Sequence, residues 1–342
     1  MKALKVDEFY HNRYIPLEEM FLSAVNQYYI EHSAELQGSF FSCLRQILQK
    51  TGNGTIGPVR NVYCTLQYTD FFAGLARVNI YLCDEQGTIM TMGEWDCRWL
   101  LPLWHSFVEQ VTDERAYVRA YIHPSMFRPF YPATLRQLMG VMAEYFRLWI
   151  SFDLLEIMEG VPHTDEVLFT FGEYLGRQNI VGRLRPAVNL MKYTGQDDWT
   201  TDELQYRCFC RNRYRVKTLG RLDLQHSIFQ DCLFEPWRFA QTNLREVLFQ
   251  NCRFHLTDFT QADLQGAIFV ACSFEDCHFY EVTAAGEASM YAMLFQDCLF
   301  DGVSIVGCDW HDVAVQNCVF RHMSTERCNL SEELLMNMKA EG

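Results

Sequence analysis

The sequence predicts an α+β N-terminal part followed by a repeat solenoid, and three observations carry that reading. From Leu219 the chain sets a large apolar residue at every fifth position: Leu219, Leu224, Phe229, Phe234, Phe239, Leu244, Phe249, Phe254, Phe259, Leu264, Phe269, Phe274 and Phe279. The step resumes one register later at Phe295, Phe300, Ile305, Trp310, Val315, Phe320, Thr325 and Leu330, so twelve of the 21 positions are Phe. A longer echo runs through IFQDCLF from Ile228, LFQNCRF from Leu248, IFVACSF from Ile268, LFQDCLF from Leu294 and AVQNCVF from Ala314, at intervals of 20, 20, 26 and 20. Residues 1–217 show no such period and mix helical with strand-like runs. A period of five fits neither the 3.6 of a helix nor the 2 of a strand, and marks stacked repeats with four fives to a turn.

Composition bounds the rest. With 49% hydrophobic and 21% charged residues in 342, the chain is globular, which excludes long disorder and collagen-like readings, and its length suggests two domains. The opening MKALKVDEFYHNRY carries charges where a secretory leader needs an apolar run. The longest apolar stretch, Leu135–Met158, is broken by Arg136, Glu144, Arg147, Asp153 and Glu156, so no membrane span is expected. A cytoplasmic protein is therefore expected, with its fourteen cysteines as thiols rather than disulfides.

In chain order, Pro16 opens an apolar helix to about Glu31, and a second helix runs near Phe40–Lys50. Strand-like runs follow at Val59–Tyr68, Arg77–Cys83 and Thr88–Trp95, the last two joined by a hairpin turn at Asp84–Gly87. Thr134 and Gln137 read as a capping box opening a helix that Gly160 ends. Apolar residues nearly all round that helix mark it as buried and central. At the C-terminus Ser331 is a candidate N-cap, with Leu334, Leu335, Met336 and Met338 available to close the open end of the solenoid.

TNLRE from Thr242, ADLQG from Ala262 and CNLSE from Cys328 carry a further signal. The region from about 218 to 331 resembles the pentapeptide-repeat family. That resemblance implies an α+β domain over 1–217, then a right-handed parallel β-helix of square cross-section over 218–331, with an insertion near 281–293 and a capping helix and tail at 332–342. It says little about function, since members of the family do several unrelated things. Some dimerise through a C-terminal helix, and some mimic DNA and bind type II topoisomerases, giving fluoroquinolone resistance. In such a coil the central residue and the residue two before it point inward, and coils stack at ~4.8 Å, so about five make a rod of roughly 25 Å. Phe then needs a small neighbour. Cys232, Cys252, Cys272, Cys298 and Cys318 hold that place on one face, with Cys277, Cys308 and Cys328 on others. A thiol column along an axis makes no tetrahedral metal site, so these cysteines are expected as core filler and no metal or cofactor is expected.

Two outward features stand apart. Where the repeat elsewhere sets Asp223, Asn243, Asp263, Asp309 and Asn329, one face sets Ile228, Leu248, Ile268, Leu294 and Ala314, and Leu233, Leu299 and Val319 extend the apolar surface. Such a strip marks a contact, either with the chain's own N-terminal domain or with a partner or second copy. Beside it run Gln230, Gln250, Gln296 and Gln316, a candidate amide ladder. Just before the coils, Arg207, Arg211, Arg213, Arg215 and Lys217 form a basic junction, the last four on one face of an extended strand. It reads as an ion-pairing strip for neighbours such as Asp197, Asp198, Asp202 and Glu203, ahead of a nucleic-acid contact.

Signs of catalysis are weak. Gly52 to Gly57 matches GxGxxG, but it follows a helix and precedes a strand, the reverse of the dinucleotide context. Cys208 and Cys210 have no second pair to complete a zinc site and are expected on one strand face. His105, His123 and His163 lack any accompanying catalytic spacing. The expected function is thus a non-enzymatic scaffold or adaptor with an unidentified protein partner, no membrane and no nucleic acid. The alternatives are an acidic DNA mimic, motivated by 7 Lys+Arg against 18 Asp+Glu from Leu219 onward, and a ligand-binding or enzymatic N-terminal domain with a pocket lined by Trp95, Trp99, Trp104 or His105.

Overall fold

A computed structural model describes residues 6–53, 57–113, 128–174, 176–186, 188–190, 202–218, 221–284 and 293–339. The chain forms two compact units, Met1–Arg183 and Leu184–Gly342.

The first unit is α+β. A short helix α1 (Val6–Phe9) and a π-turn, Tyr10–Tyr14, lead into α2 (Ile15–Gln49). Where the sequence suggests two helices there is one, with a break in helical geometry only at His32. Its residues Phe21, Val25, Tyr29, Leu36, Phe40, Leu44 and Ile47 are buried, a three- and four-residue spacing that keeps one stripe on the core across the kink. Strands β1 (Val59–Leu66), β2 (Arg77–Asp84) and β3 (Ile89–Asp96) form an antiparallel meander, with α3 (Tyr68–Phe72) between the first two. The hairpin turn falls where expected: Asp84 Oδ1 accepts from the Gln86 and Thr88 amides at 3.0 and 2.8 Å, and Gly87 takes φ +83°. Helices α4 (Leu100–Thr112) and α5 (Tyr131–Met158) then carry the chain back to β4 (His163–Glu173), which lies parallel to β1 with β5 (Gln178–Leu184) beyond it. The sheet order is β3-β2-β1-β4-β5.

Alternation fixes the two faces of this sheet. Val62, Cys64 and Leu66 are buried on one, where Phe171 stacks on Phe146 of α5 at 4.6 Å. Asn61, Tyr63 and Thr65 fall on the other. As expected, α5 is buried nearly all round and ends at Gly160, φ +73°. Its start differs from the expected capping box. The helix begins at Tyr131 without a side-chain cap, three residues before Thr134. Thr134 and Gln137 instead reach across to α2, both donating to the buried Glu18 carboxylate, and the Tyr14 hydroxyl meets Thr134 Oγ1 at 2.7 Å. A buried carboxylate needs donors more than a helix start needs a cap.

The second unit is a parallel β-helix. Strands twenty residues apart pair in register: Phe209 with Phe229, then Phe249, Phe269, Phe295 and Val315 on one face. Tyr214, Phe234, Phe254, Phe274, Phe300 and Phe320 follow on the next. Phe279, Ile305 and Thr325 stack on a third face, and bridges from Asp223 through Asn243, Asp263, Thr283 and Asp309 mark the fourth. The ladder therefore starts ten residues before the traced phase of five, at Phe209 and then Tyr214. The insertion expected near 281–293 lies largely outside the described residues, at 285–292, and the pairing steps by 26 from Phe269 to Phe295.

The Phe columns are continuous aromatic stacks. Successive centroids on the second face lie 4.8–5.0 Å apart with interplanar angles of 4–17°. The expected small neighbours are Cys, and each also spans coils: Cys232, Cys252, Cys272, Cys298 and Cys318 donate Sγ–H to the preceding coil's carbonyl at 3.2–3.4 Å. Burial pushes the Cys277 thiol up to about 12 and Cys308 to about 11. Helix α6 (Glu332–Lys339) closes the far end, with Ser331 Oγ accepting from the Leu334 amide at 3.2 Å as its N-cap. Leu334 is buried and Met338 packs against the core, while Leu335 and Met336 face outward.

Candidate functional site

The β-helix carries its side chains outward in columns, so any surface site on it is a column or two adjacent ones. Ile228, Leu248, Ile268, Leu294 and Ala314 stand in one register. Ile228, Leu248 and Ile268 are buried, and Leu294 and Ala314 are half-buried. The adjacent column is less continuous than the sequence suggests: Arg253 and Ser273 stand between Leu233 and Leu299. Leu299, 37% exposed, sits directly against half-buried Val319. Towards α6, then, Leu294, Leu299, Ala314 and Val319 form the accessible apolar part of the surface.

The basic junction is the first coil itself. Arg213 and Arg215 flank buried Tyr214, face outward and converge on Glu235 Oε2 at 2.6 and 3.3 Å. The Arg213 guanidinium, with Arg215 beside it, holds the Glu235 carboxyl below the usual carboxylate range. Arg211 turns the corner at φ +55° with its Nε 4.0 Å from Asp231. Arg207 donates to the Glu203 and Pro186 carbonyls at 2.6 and 2.7 Å. Lys217 pairs through its backbone with Trp237. The acidic partners are thus the next coil's Glu235 and Asp231; Asp197 and Asp198 lie outside the described residues. Cys208 and Cys210 flank Phe209 on that coil, the first buried and the second exposed.

Polar ladders run at other positions than the expected Gln230 column. Gln241 donates to Gln261 and Gln261 to Glu281, each at 2.9 Å. Asn243 donates to Asp223 at 3.0 Å and Asn329 to Asp309 at 2.9 Å. Pairing at twenty residues also sets His255 beside Glu275, and with Asp276 their ligand atoms lie within 4.8 Å of one another. The period of twenty contains that neighbour relation, which goes unseen when the chain is scanned only for local metal spacings.

In the first unit the expected tryptophan-lined pocket is core. Trp95 is buried and donates to Ser39 Oγ at 2.9 Å, and Trp104 is buried among Phe21, Phe71 and Tyr131. Trp99 stacks on Tyr28 at 4.6 Å, and His105 is exposed on α4. His163 spends its Nδ1 on the Thr164 carbonyl at 2.7 Å; His123 and Gly54 lie outside the described residues. Among the described residues one concavity lies on the opposite sheet face, a cleft of about 460 Å³ lined by Tyr63, Thr65, Tyr81, Ile89, Tyr174 and Gln178; another, of about 560 Å³, is lined by charged side chains, Arg60, Glu85, Asp165, Glu166 and Arg183 among them. Among the described residues no helix is long and apolar enough to cross a membrane.

Comparisons reach only part of the chain. The family profile of the SV2A/B/C luminal domain matches residues 202–279. No curated protein sequence matches the chain. Among solved structures, QnrB1, described as a plasmid-mediated fluoroquinolone resistance protein, is similar over 46% of this chain and 94% of its own at 11% identity and a TM-score of 0.24. Rfr23, a pentapeptide repeat protein from the cyanobacterium Cyanothece 51142, is similar over 37% of this chain and 86% of its own at 13% identity and a TM-score of 0.15. HetL of Nostoc sp. strain PCC 7120, involved in heterocyst differentiation regulation, is similar over 38% and 85% at 12% identity and a TM-score of 0.17. The five-residue period, the in-register pairing of successive coils and the stacked Phe columns make the C-terminal unit a pentapeptide-repeat β-helix.

Proposed function

We propose that this protein is a non-enzymatic protein–protein interaction scaffold whose rigid β-helix presents an apolar face. The observation that carries the reading is the register of Ile228, Leu248, Ile268 and Leu294, one outward column of branched apolar residues where a neighbouring face sets Asp and Asn. Each coil is hydrogen-bonded to the next, so the column cannot rearrange piecemeal, and its accessible end is pre-organised. Its first three members are already buried; Leu294, Leu299 and Val319 are the part left for a partner. The double variant Leu299→Asp, Val319→Asp tests this, read by light scattering and by cross-linking of the full-length protein in its native cells. We expect loss of self-association or of a cross-linked partner at an unchanged melting temperature. A wild-type monomer whose cross-linked partners all survive the double substitution sinks the reading.

A second reading rests on charge. The 18 acidic against 7 basic residues from Leu219 onward suit a basic groove, and a DNA mimic directed at DNA gyrase would use them. Several of these carboxylates already hold a cation: Asp258 with Arg238 at 2.9 Å and Asp263 with Arg245 at 2.6 Å. Micromolar protein in a gyrase supercoiling assay separates the readings, since a mimic inhibits or protects and a scaffold does neither.

A further inference from the structure

The outer face of the five-stranded sheet is not the plain solvated face that its position implies. Tyr63 and Thr65 from β1, Tyr81 from β2, Ile89 from β3 and Tyr174 and Gln178 from the β4–β5 hairpin enclose the cleft of about 460 Å³. Three features define what it would take. Among the described residues no lining side chain carries a charge, so an ion would find no partner in them. Tyr81 and Tyr174 are already stacked on each other at 5.5 Å, which leaves no slot for a flat heterocycle between them but leaves Tyr174, 45% exposed, to accept an apolar ring face. The hydroxyls are arranged to donate: Tyr63 Oη accepts from Asn61 Nδ2 at 2.6 Å and Tyr81 Oη from Gln67 Nε2 at 3.5 Å, so each phenol keeps its proton for another acceptor. Gln178, by contrast, is committed at both ends, to Thr170 and to the Glu173 carbonyl, at 3.0 and 2.6 Å.

The second, independent observation is Thr65. It lines the cleft, is 3% exposed, and its Oγ1 has no hydrogen-bond partner among the described residues; neither does Nδ2 of buried Asn79, its cross-strand neighbour. A buried hydroxyl without a partner is costly unless something supplies one. A rotation of about 120° about χ1 carries a Thr hydroxyl into the place of its methyl or of its Cβ hydrogen, so Thr65 has more than one staggered position from which to reach an acceptor in the cleft.

We infer that this cleft binds an uncharged saccharide, one pyranose ring face lying on the tyrosines and its hydroxyl oxygens accepting from Tyr63, Tyr81 and Thr65. Sugars combine an apolar ring face with neutral acceptors and donors, which is the combination that the lining offers. The site lies in the first unit and does not depend on the β-helix surface.

The test is saturation-transfer NMR on the full-length protein with maltose, cellobiose and diacetylchitobiose as probes, and uridine and adenosine as the heterocyclic alternative. At least one disaccharide is expected to bind at millimolar concentration. Thr65→Val, which replaces the hydroxyl by a methyl of similar size, should weaken it by at least about tenfold. The same variant should leave the urea midpoint of the free protein unchanged or raised, because the hydroxyl it removes has no partner there. Absence of saturation transfer to all three sugars overturns the inference. So does binding undiminished in Thr65→Val, or saturation transfer to the nucleosides alone.

Discussion

At the scale of single residues, the corners of the coils are where this sequence strains against its fold. The residue two after most central positions turns the chain in the left-handed region, with Pro236 and Asp312 among the exceptions, and many of these residues are not glycine. On one edge the corner column reads Leu256, Asp276, Gly302 and His322, at φ +52°, +50°, +67° and +49°. Leu256 is 46% exposed, so it gains little from burial there and bears the steric cost of the left-handed conformation. Leu256→Asn should therefore stabilise the protein by up to about 1 kcal/mol, read as a higher urea midpoint, since Asn tolerates that region better than Leu. Gly302→Ala should do the reverse, because a Cβ there is strained by φ and also meets the Asp276 carboxylate. The Cys277 thiol, outside the Cys232–Cys318 column, gives a pH signature with a definite sign. Folding holds the Cys277 thiol protonated, pushed from 9.0 up to about 12 by burial. Its folded-state pKa is raised, so its contribution is fully present below about 9 and is lost as pH climbs towards 12. The slope is about 1.4 kcal/mol per pH unit for such a thiol. Urea midpoints at pH 8, 9.5 and 10.5 should fall less steeply in Cys277→Ala than in the wild type; equal slopes would mean that this thiol is not buried in the native state.

At the scale of elements, what the sequence reveals depends on whether a neighbour is near in the chain or at a fixed period. The hairpin at Asp84–Gly87, the end of α5 at Gly160 and the N-cap at Ser331 are local chemistry and read directly. The β-helix reads as well, because its neighbours lie twenty residues apart except for one step of 26, so that Phe249 implies Phe229 and Phe269. The fusion of two expected helices into α2 does not read, since the polar run around His32 looks like a break when only its own residues are weighed. The role of Thr134 is hidden for the same reason: its partner Glu18 is 116 residues away, and no spacing records that. The two roles of Thr134 make different predictions. In a capping box, Thr134→Val and Glu18→Gln would add independently. As partners across α2 and α5 they should couple, with a double-mutant interaction of about 1 kcal/mol in urea denaturation. The tyrosine cleft escaped the sequence reading because Tyr63 and Tyr81 sit on two strands and Tyr174 in the β4–β5 turn, elements whose adjacency only the sheet topology reveals. The packed core around Trp95 and Trp104 attracted attention for its aromatics alone.

At the scale of the whole molecule, the β-helix is a one-dimensional stack in which each coil is held by the coil on either side. Phe249 stacks on Phe229 at 5.0 Å and on Phe269 at 4.9 Å. The strand Ser324–Glu326, by contrast, is exposed along its length and pairs in the described structure with Ser304–Val306. Local stability should therefore fall from the middle coils towards this end, and α6 is what limits the fall. Leu334 is 1% exposed against the last strands, whereas Met336 on the same helix is 65% exposed. Hydrogen exchange followed by mass spectrometry turns this contrast into a measurement. Peptides covering 248–275 should exchange slowest and those covering 314–330 fastest among the coils. Leu334→Asp buries a charge where the helix seals the stack, so it should speed exchange across 314–330 and leave 248–275 unchanged. Met336→Asp, one turn face away, should do neither. If Leu334→Asp instead accelerates exchange evenly along all the coils, the unit opens as a single cooperative block and the end helix is not a local seal.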